Sequence, residues 1–194
     1  MEYKRKPDTP PMVKENGWTV DDYMNLPEDG NQYEIVGGVL ELKPSPNTDH
    51  QRIIRRLDHI LADTCESQYI MILSPIDVIL SDRETRQPDL LMVHRSREAI
   101  IRKNGIFGPP DLVVELLSPN SARRDRIMKR ESYARFGVPE YWIADYENQT
   151  IEQYVAPVPG QPYELVNVFE ADDTVSSEQL PCVSFVVKEA LKIV

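Results

Sequence analysis

The chain has 194 residues, 41% of them hydrophobic and 28% charged, and carries a net charge of −10 at pH 7. This suits one globular domain with a real core and excludes a disordered chain. It also argues against a simple nucleic-acid binder held by bulk electrostatics.

The charge is unevenly spread. Residues 50–135 hold 15 Lys/Arg against 12 Asp/Glu, and the remainder holds 7 against 20, so acidic flanks enclose a mildly basic middle. The longest apolar stretch, YIMILSPIDVIL, is cut by Ser74, Pro75 and Asp77, and falls short of the about 20 apolar residues a membrane-spanning helix needs. The start, MEYKRKPDTPP, has no apolar run behind its basic residues, so no secretory signal is expected. Cys65 and Cys182 are too few and too far apart for a disulfide framework or zinc ribbon, which makes reduced thiols in a cytoplasmic protein the expectation.

Residues 1–16 are polar and proline-bearing and read as a flexible arm ahead of one domain over 17–194. A short helix over 18–26 has Thr19 as its candidate N-cap and Asp21 and Asp22 in its first turn. YEIVGGVLELK alternates like two strands around Gly37-Gly38, a hairpin signal. Residues 47–66 are helical by the spacing of Ile53, Ile54, Leu57, Ile60 and Leu61, with Asn47 or Thr48 as cap. Two short strands follow at 68–73 and 76–80, then a polar turn, SDRETR, then the strand QPDLLMV. A helical turn is expected at 97–102 and a loop at GIFGPP.

DLVVELL (111–117) reads as a strand buried on both faces, residues 121–136 as a polar helix stopped by Gly137, and PEYWIAD as a further strand. These form a βαβ unit with parallel strands and a right-handed crossover. QPDLLMV is placed antiparallel beside DLVVELL, in a mixed central sheet with helices on both sides. The rest alternates short strands with turns and closes on a short helical tail.

One residue is out of place: Glu115 interrupts the dry run of DLVVELL. Antiparallel pairing brings the start of one strand beside the end of its neighbour, so Asp89 of QPDLL approaches Glu115. Two carboxylates in a dry site need a shared proton or a cation, and oxygen ligands suit magnesium or manganese. The alternative is a salt bridge from Glu115 to Arg or Lys. On the following helix Asp125, Lys129 and Tyr133 recur at i,i+4 and share a face, which places an ammonium near the carboxylates. Arg123, Arg124, Arg126 and Arg130 make this helix the most basic element, suited to phosphate contacts.

Asp89 after Pro88, with Glu115 in an apolar strand, resembles the PD-(D/E)xK nuclease core. More narrowly, YEIVGGVLEL, QPDLL, VVELLSPNS, the Asp125…Lys129 pair and YARFGVPEYWIAD are similar to the Uma2 family (formerly DUF820), over nearly the whole chain. The resemblance implies a restriction-endonuclease-like α/β fold. It implies Asp89, Glu115 and the backbone carbonyl of Leu116 as ligands of Mg2+ or Mn2+, with Glu34 as a further acidic position and His50 as a recurrent one. Leu117 stands where the nuclease motif has lysine, and Lys129 is implied as the substitute. The implied reaction is phosphodiester hydrolysis, in DNA on family grounds, by a homodimer. A catalytically inactive nucleic-acid-binding module and a protein–protein adaptor on the same fold remain the alternatives.

Overall fold

Thr19 ends an extended approach and caps α1 (Val20–Met24): its side chain accepts from the Asp22 backbone N–H while the Asp22 carboxylate reaches back. The computed structural model describes residues 12–118 and 123–193. The expected arm lies outside the described residues up to position 11. Of its remainder, Met12 accepts a backbone bond from Leu40 and Lys14 stacks on Trp18.

β1 (Gln32–Val36) and β2 (Val39–Lys43) form the hairpin, turning through Gly37 and Gly38 at φ 56 and 83. Two consecutive positive φ values are what a tight hairpin turn demands. α2 (Thr48–Cys65) is capped by Asn47, whose side chain accepts from the His50 N–H. It buries Ile53, Ile54, Leu57 and Leu61. Next come β3 (Tyr69–Leu73), β4 (Val78–Ser81), β5 (Glu84–Arg86) and β6 (Leu90–His94). A 3-10 turn over Arg95–Ile100 leads into β7 (Ile101–Arg102), β8 (Gly105–Phe107) and β9 (Leu112–Leu116).

After β9 the chain re-enters the described region in a π-helical turn, Arg124–Lys129, continued by α3 (Arg130–Arg135). Then follow β10 (Glu140–Asp145), β11 (Thr150–Val155), β12 (Glu164–Glu170), β13 (Thr174–Ser176), β14 (Ser184–Val186) and α4 (Val187–Leu191). No helix is long and apolar enough to cross a membrane among the described residues.

The fold class is the expected α/β one, with two large sheets rather than one central sheet. One runs β12-β11-β10-β9-β6-β3 and the other β2-β1-β5-β4-β8-β7. In the first, β9 lies parallel to β10 and antiparallel to β6, as the βαβ reading requires. Its alternating side chains serve two cores. Leu90, Met92, Leu112, Val114 and Trp142 pack against α2 and α4. Leu91, Val93, Val113, Tyr141 and Ile143 pack against Val78 and Ile106 of the second sheet and against Tyr133 of α3.

Four expectations are corrected. SDRETR is no simple turn, because Glu84, Thr85 and Arg86 are a fully buried strand. Charges of opposite sign on one strand satisfy each other there. GIFGPP likewise contributes β8, which pairs parallel with β4 and antiparallel with β7. The helix expected over 121–136 starts outside the described residues and changes character at Arg130. Finally, Cys65 and Cys182 form a disulfide rather than two thiols. A separation of 117 residues in sequence closes to 5.2 Å between Cα atoms because the end of α2 meets the loop before β14.

Candidate active site

The register of β6 on β9 sets the centre of the site. Leu90 lies opposite Val114, so Asp89, one residue outside β6, falls beside Glu115. Asp89 Oδ2 accepts from the backbone N–H of Leu116 at 2.9 Å and lies 3.2 Å from His50 Nε2. Lys43, at the end of β2, places its Nζ 3.6 Å from Asp89 Oδ1 while donating to the Gln87 carbonyl at 2.5 Å.

Glu115 is buried and receives two donors on one oxygen, the Lys129 ammonium at 2.8 Å and the Tyr133 hydroxyl at 3.0 Å. The π turn explains how Lys129 arrives there. Its wider coil turns Asp125 and Lys129 inward together, both about as dry as Glu115. Lys129 Nζ also lies 3.6 Å from Asp125 Oδ1 and 3.8 Å from Glu34 Oε1.

Burial alone would raise the Asp89 carboxyl, but the His50 contact and the Lys43 and Lys129 charges bring it down to about 2. Glu115 goes the other way. Burial pushes it up, Lys129 pulls it down, and the Asp89 and Asp125 carboxylates push it up again, to about 8. Burial disfavours the Lys129 ammonium, yet Glu115, Glu34, Asp125 and Asp89 hold its pKa above the ordinary lysine value. One carboxylate is firmly ionised and its neighbour retains a proton that a cation can displace.

Of the residues singled out in the sequence, Asp89, Glu115, Leu116, Asp125, Lys129, His50 and Arg124 line one cavity of ≈ 400 Å³. Tyr133 stands behind Glu115. Glu34 faces away from the cavity, toward Arg86: its Oε1 accepts from the Gln87 N–H at 2.9 Å and its Oε2 lies 3.6 Å from Arg86 Nη1. The basic residues of the 123–130 segment divide. Arg124 stays at the cavity with a buried Nε that has no hydrogen-bond partner. Arg126 pairs with Glu152 at 2.7 Å, Arg130 lies over the Tyr154 ring and Arg123 is exposed.

Lys43, Glu84, Arg86 and Ser132 join the site without a motif that marks them in the sequence. Arg86 Nη2 is 2.6 Å from Glu84 Oε1, and the Ser132 hydroxyl donates to the same oxygen at 2.5 Å. A signal was present: Glu84 and Arg86 sit two apart, hence on one face of a strand, and run straight into Pro88-Asp89.

The family profile of Uma2, described as "Putative restriction endonuclease", matches residues 20–188. This chain belongs to the Uma2 family. A crystal structure described as a "putative nuclease belonging to DUF820" from Anabaena variabilis ATCC 29413 shares the fold with a TM-score of 0.72. The two are 22% identical, over 89% of this chain and 97% of that one. No curated protein matches the chain.

Among the described residues, no group of three or more His, Cys, Asp or Glu side chains is placed to hold a metal ion; the cavity presents the Asp89 and Glu115 carboxylates beside the backbone of β9. The buried network joins five carboxylates, Glu34, Glu84, Asp89, Glu115 and Asp125, to three cations, Lys43, Arg86 and Lys129. The oxygens at the cavity are hard donors of the kind that suit magnesium or manganese. Leu117 occupies the position where the nuclease motif has lysine and packs into the core beside Val113, Tyr133 and Val138. Lys129 reaches Glu115 from the helix instead.

Proposed function

We propose that this chain is a divalent-metal-dependent nuclease that hydrolyses phosphodiester bonds in DNA. The observation that carries the reading is the convergence of Asp89, Glu115 and the Lys129 ammonium at one cavity, with Lys129 Nζ 2.8 Å from Glu115. Asp89, Glu115 and the carbonyl of Leu116 hold Mg2+ or Mn2+. The bound ion supplies Lewis acidity toward phosphate oxygen and makes water a better nucleophile.

The protein's own groups do the rest. Lys129 stays protonated, so it orients water and offsets negative charge on the phosphate rather than acting as a base. His50 fixes the rotamer of Asp89 through Oδ2, and Tyr133 does the same for Glu115. Arg124, which lines the cavity, brings a guanidinium to the phosphate. Glu34, engaged by Arg86 and Gln87, holds Lys129 from behind. An enzyme of this size that cuts both strands of a duplex works as a homodimer, which light scattering tests.

The deciding experiment is calorimetric titration of manganese into wild type, Asp89→Ala and Glu115→Ala, followed by cleavage of a DNA panel. Wild type should bind and both variants should not. Lys129→Met should keep metal binding and lose cleavage by about two orders of magnitude or more. Wild type without metal affinity removes the basis of the proposal, and metal binding without cleavage on any substrate leaves only an inactive binding module.

A further inference from the structure

We infer that the outer face of α2 is the track for the backbone of duplex DNA flanking the cavity. The inference rests on the nuclease reading and names the surface it needs. The 123–130 segment, the basic element most apparent in the sequence, brings only Arg124 to the cavity beside an exposed Arg123. Arg126 is held by Glu152 and Arg130 lies over Tyr154. Three further cations are similarly engaged: Lys14 by Asp22, Arg97 by Asp111 and Lys188 by Asp172.

α2 differs. Arg52, Arg55 and His59 are exposed and recur one helical turn apart on the side opposite the buried stripe. Together with Arg56 and Asp58 they line a depression of ≈ 350 Å³. Arg56 donates to the Lys192 carbonyl, whereas Arg52 and Arg55 have no acidic partner among the described residues. The patch is positive even with Asp58 counted, on a chain whose net charge is −10.

Position matters as much as charge. The first turn of α2 forms the rim of the cavity, through Asn47 and His50, and His50 touches Asp89. From Arg52 to His59 the helix advances about 10 Å, which is about three base steps along one strand of a duplex. A duplex lying along this face brings one phosphate to the cavity mouth and its neighbours to Arg52 and Arg55. The acidic remainder of the surface repels other orientations. The contacts are to phosphate, so the track positions DNA and carries no sequence information.

The test is fluorescence anisotropy of a labelled duplex across a salt series, in calcium to hold off cleavage. The proteins are wild type, R52Q/R55Q and, as a charge-matched control away from α2, Lys14→Gln combined with Lys188→Gln. The double variant should bind roughly tenfold or more weakly at physiological salt, and its log–log salt slope should fall by about two. The Lys14→Gln/Lys188→Gln control should resemble wild type. Equal affinity and slope for wild type and R52Q/R55Q overturn the track, as does a wild type that binds no duplex or binds only single strands. Manganese calorimetry on R52Q/R55Q separates the two ideas: retained metal binding with unchanged DNA binding discards the track alone, whereas loss of metal binding in wild type discards the nuclease reading.

Discussion

β9 and β5 both send buried charge to Lys129, and they do so from opposite kinds of sequence. β9 is apolar with one carboxylate, so Glu115 stands out in LVVEL. β5 is ETR, polar throughout, yet Arg86 is 1% exposed and Glu115 is 2% exposed. Glu115 meets the lysine directly, and Arg86 meets it through Glu34. A charge isolated in a dry strand announces itself; charges that neutralise each other within a polar strand resemble an exposed turn.

The comparison predicts different consequences for removing each charge. Arg86→Ala leaves Glu84 buried without its cation and Glu34 with Lys129 alone, and should cost about 3–5 kcal/mol in urea unfolding. Glu115→Gln keeps the shape and removes a carboxyl that burial already holds largely protonated near neutrality, so it should shift stability by no more than about 1 kcal/mol. It should nevertheless abolish manganese binding. Equal losses from the two variants would show that the strands do not divide support from chemistry in this way.

A smaller effect follows from the proton on Glu115. Its folded-state pKa is raised to about 8 from an ordinary 4.5, so the metal-free fold holds this proton more tightly than the unfolded chain does. The associated stability is fully present below pH 4.5 and is lost as pH rises through 8. Wild type should therefore lose stability relative to Glu115→Gln across that window. Asp89, lowered to about 2, contributes the opposite slope only at far more acidic pH. Manganese affinity should rise over the same window, because metal and proton compete for Glu115. A flat difference between the two proteins would mean that Lys129 already keeps Glu115 ionised.

The legible parts of the molecule were those written in periodicity. The helix of α2, the Gly37-Gly38 hairpin and the order β6, β9, β10 all follow from repeats of apolar residues and from turn chemistry. The pairing that places Asp89 beside Glu115 follows from them. Partners set by tertiary approach were less legible. Lys43 reaches Asp89 from a hairpin, Cys182 reaches Cys65 across 117 residues, and Arg126 is taken up by Glu152 while Arg52 and Arg55 of α2 meet no carboxylate among the described residues. Charge composition gives the number of cations and not which of them are already paired.

Ser132 gives the mildest test of whether β5 belongs to the site. Its hydroxyl donates to Glu84 Oε1, the oxygen that Arg86 also holds, so it ties α3 to the buried strand. Ser132→Ala should cost about 1–3 kcal/mol, the loss expected when a buried carboxylate is left short of a donor. The effect should shrink when Glu84 is already Gln, because the lost bond then has a neutral acceptor. A double-mutant cycle of Ser132→Ala with Glu84→Gln measures that coupling directly. Additive losses would make the serine ordinary packing on α3. Coupled losses would show that the polar strand locks the helix start from which Lys129 reaches Glu115, and so contributes to the geometry of the cavity without lining it.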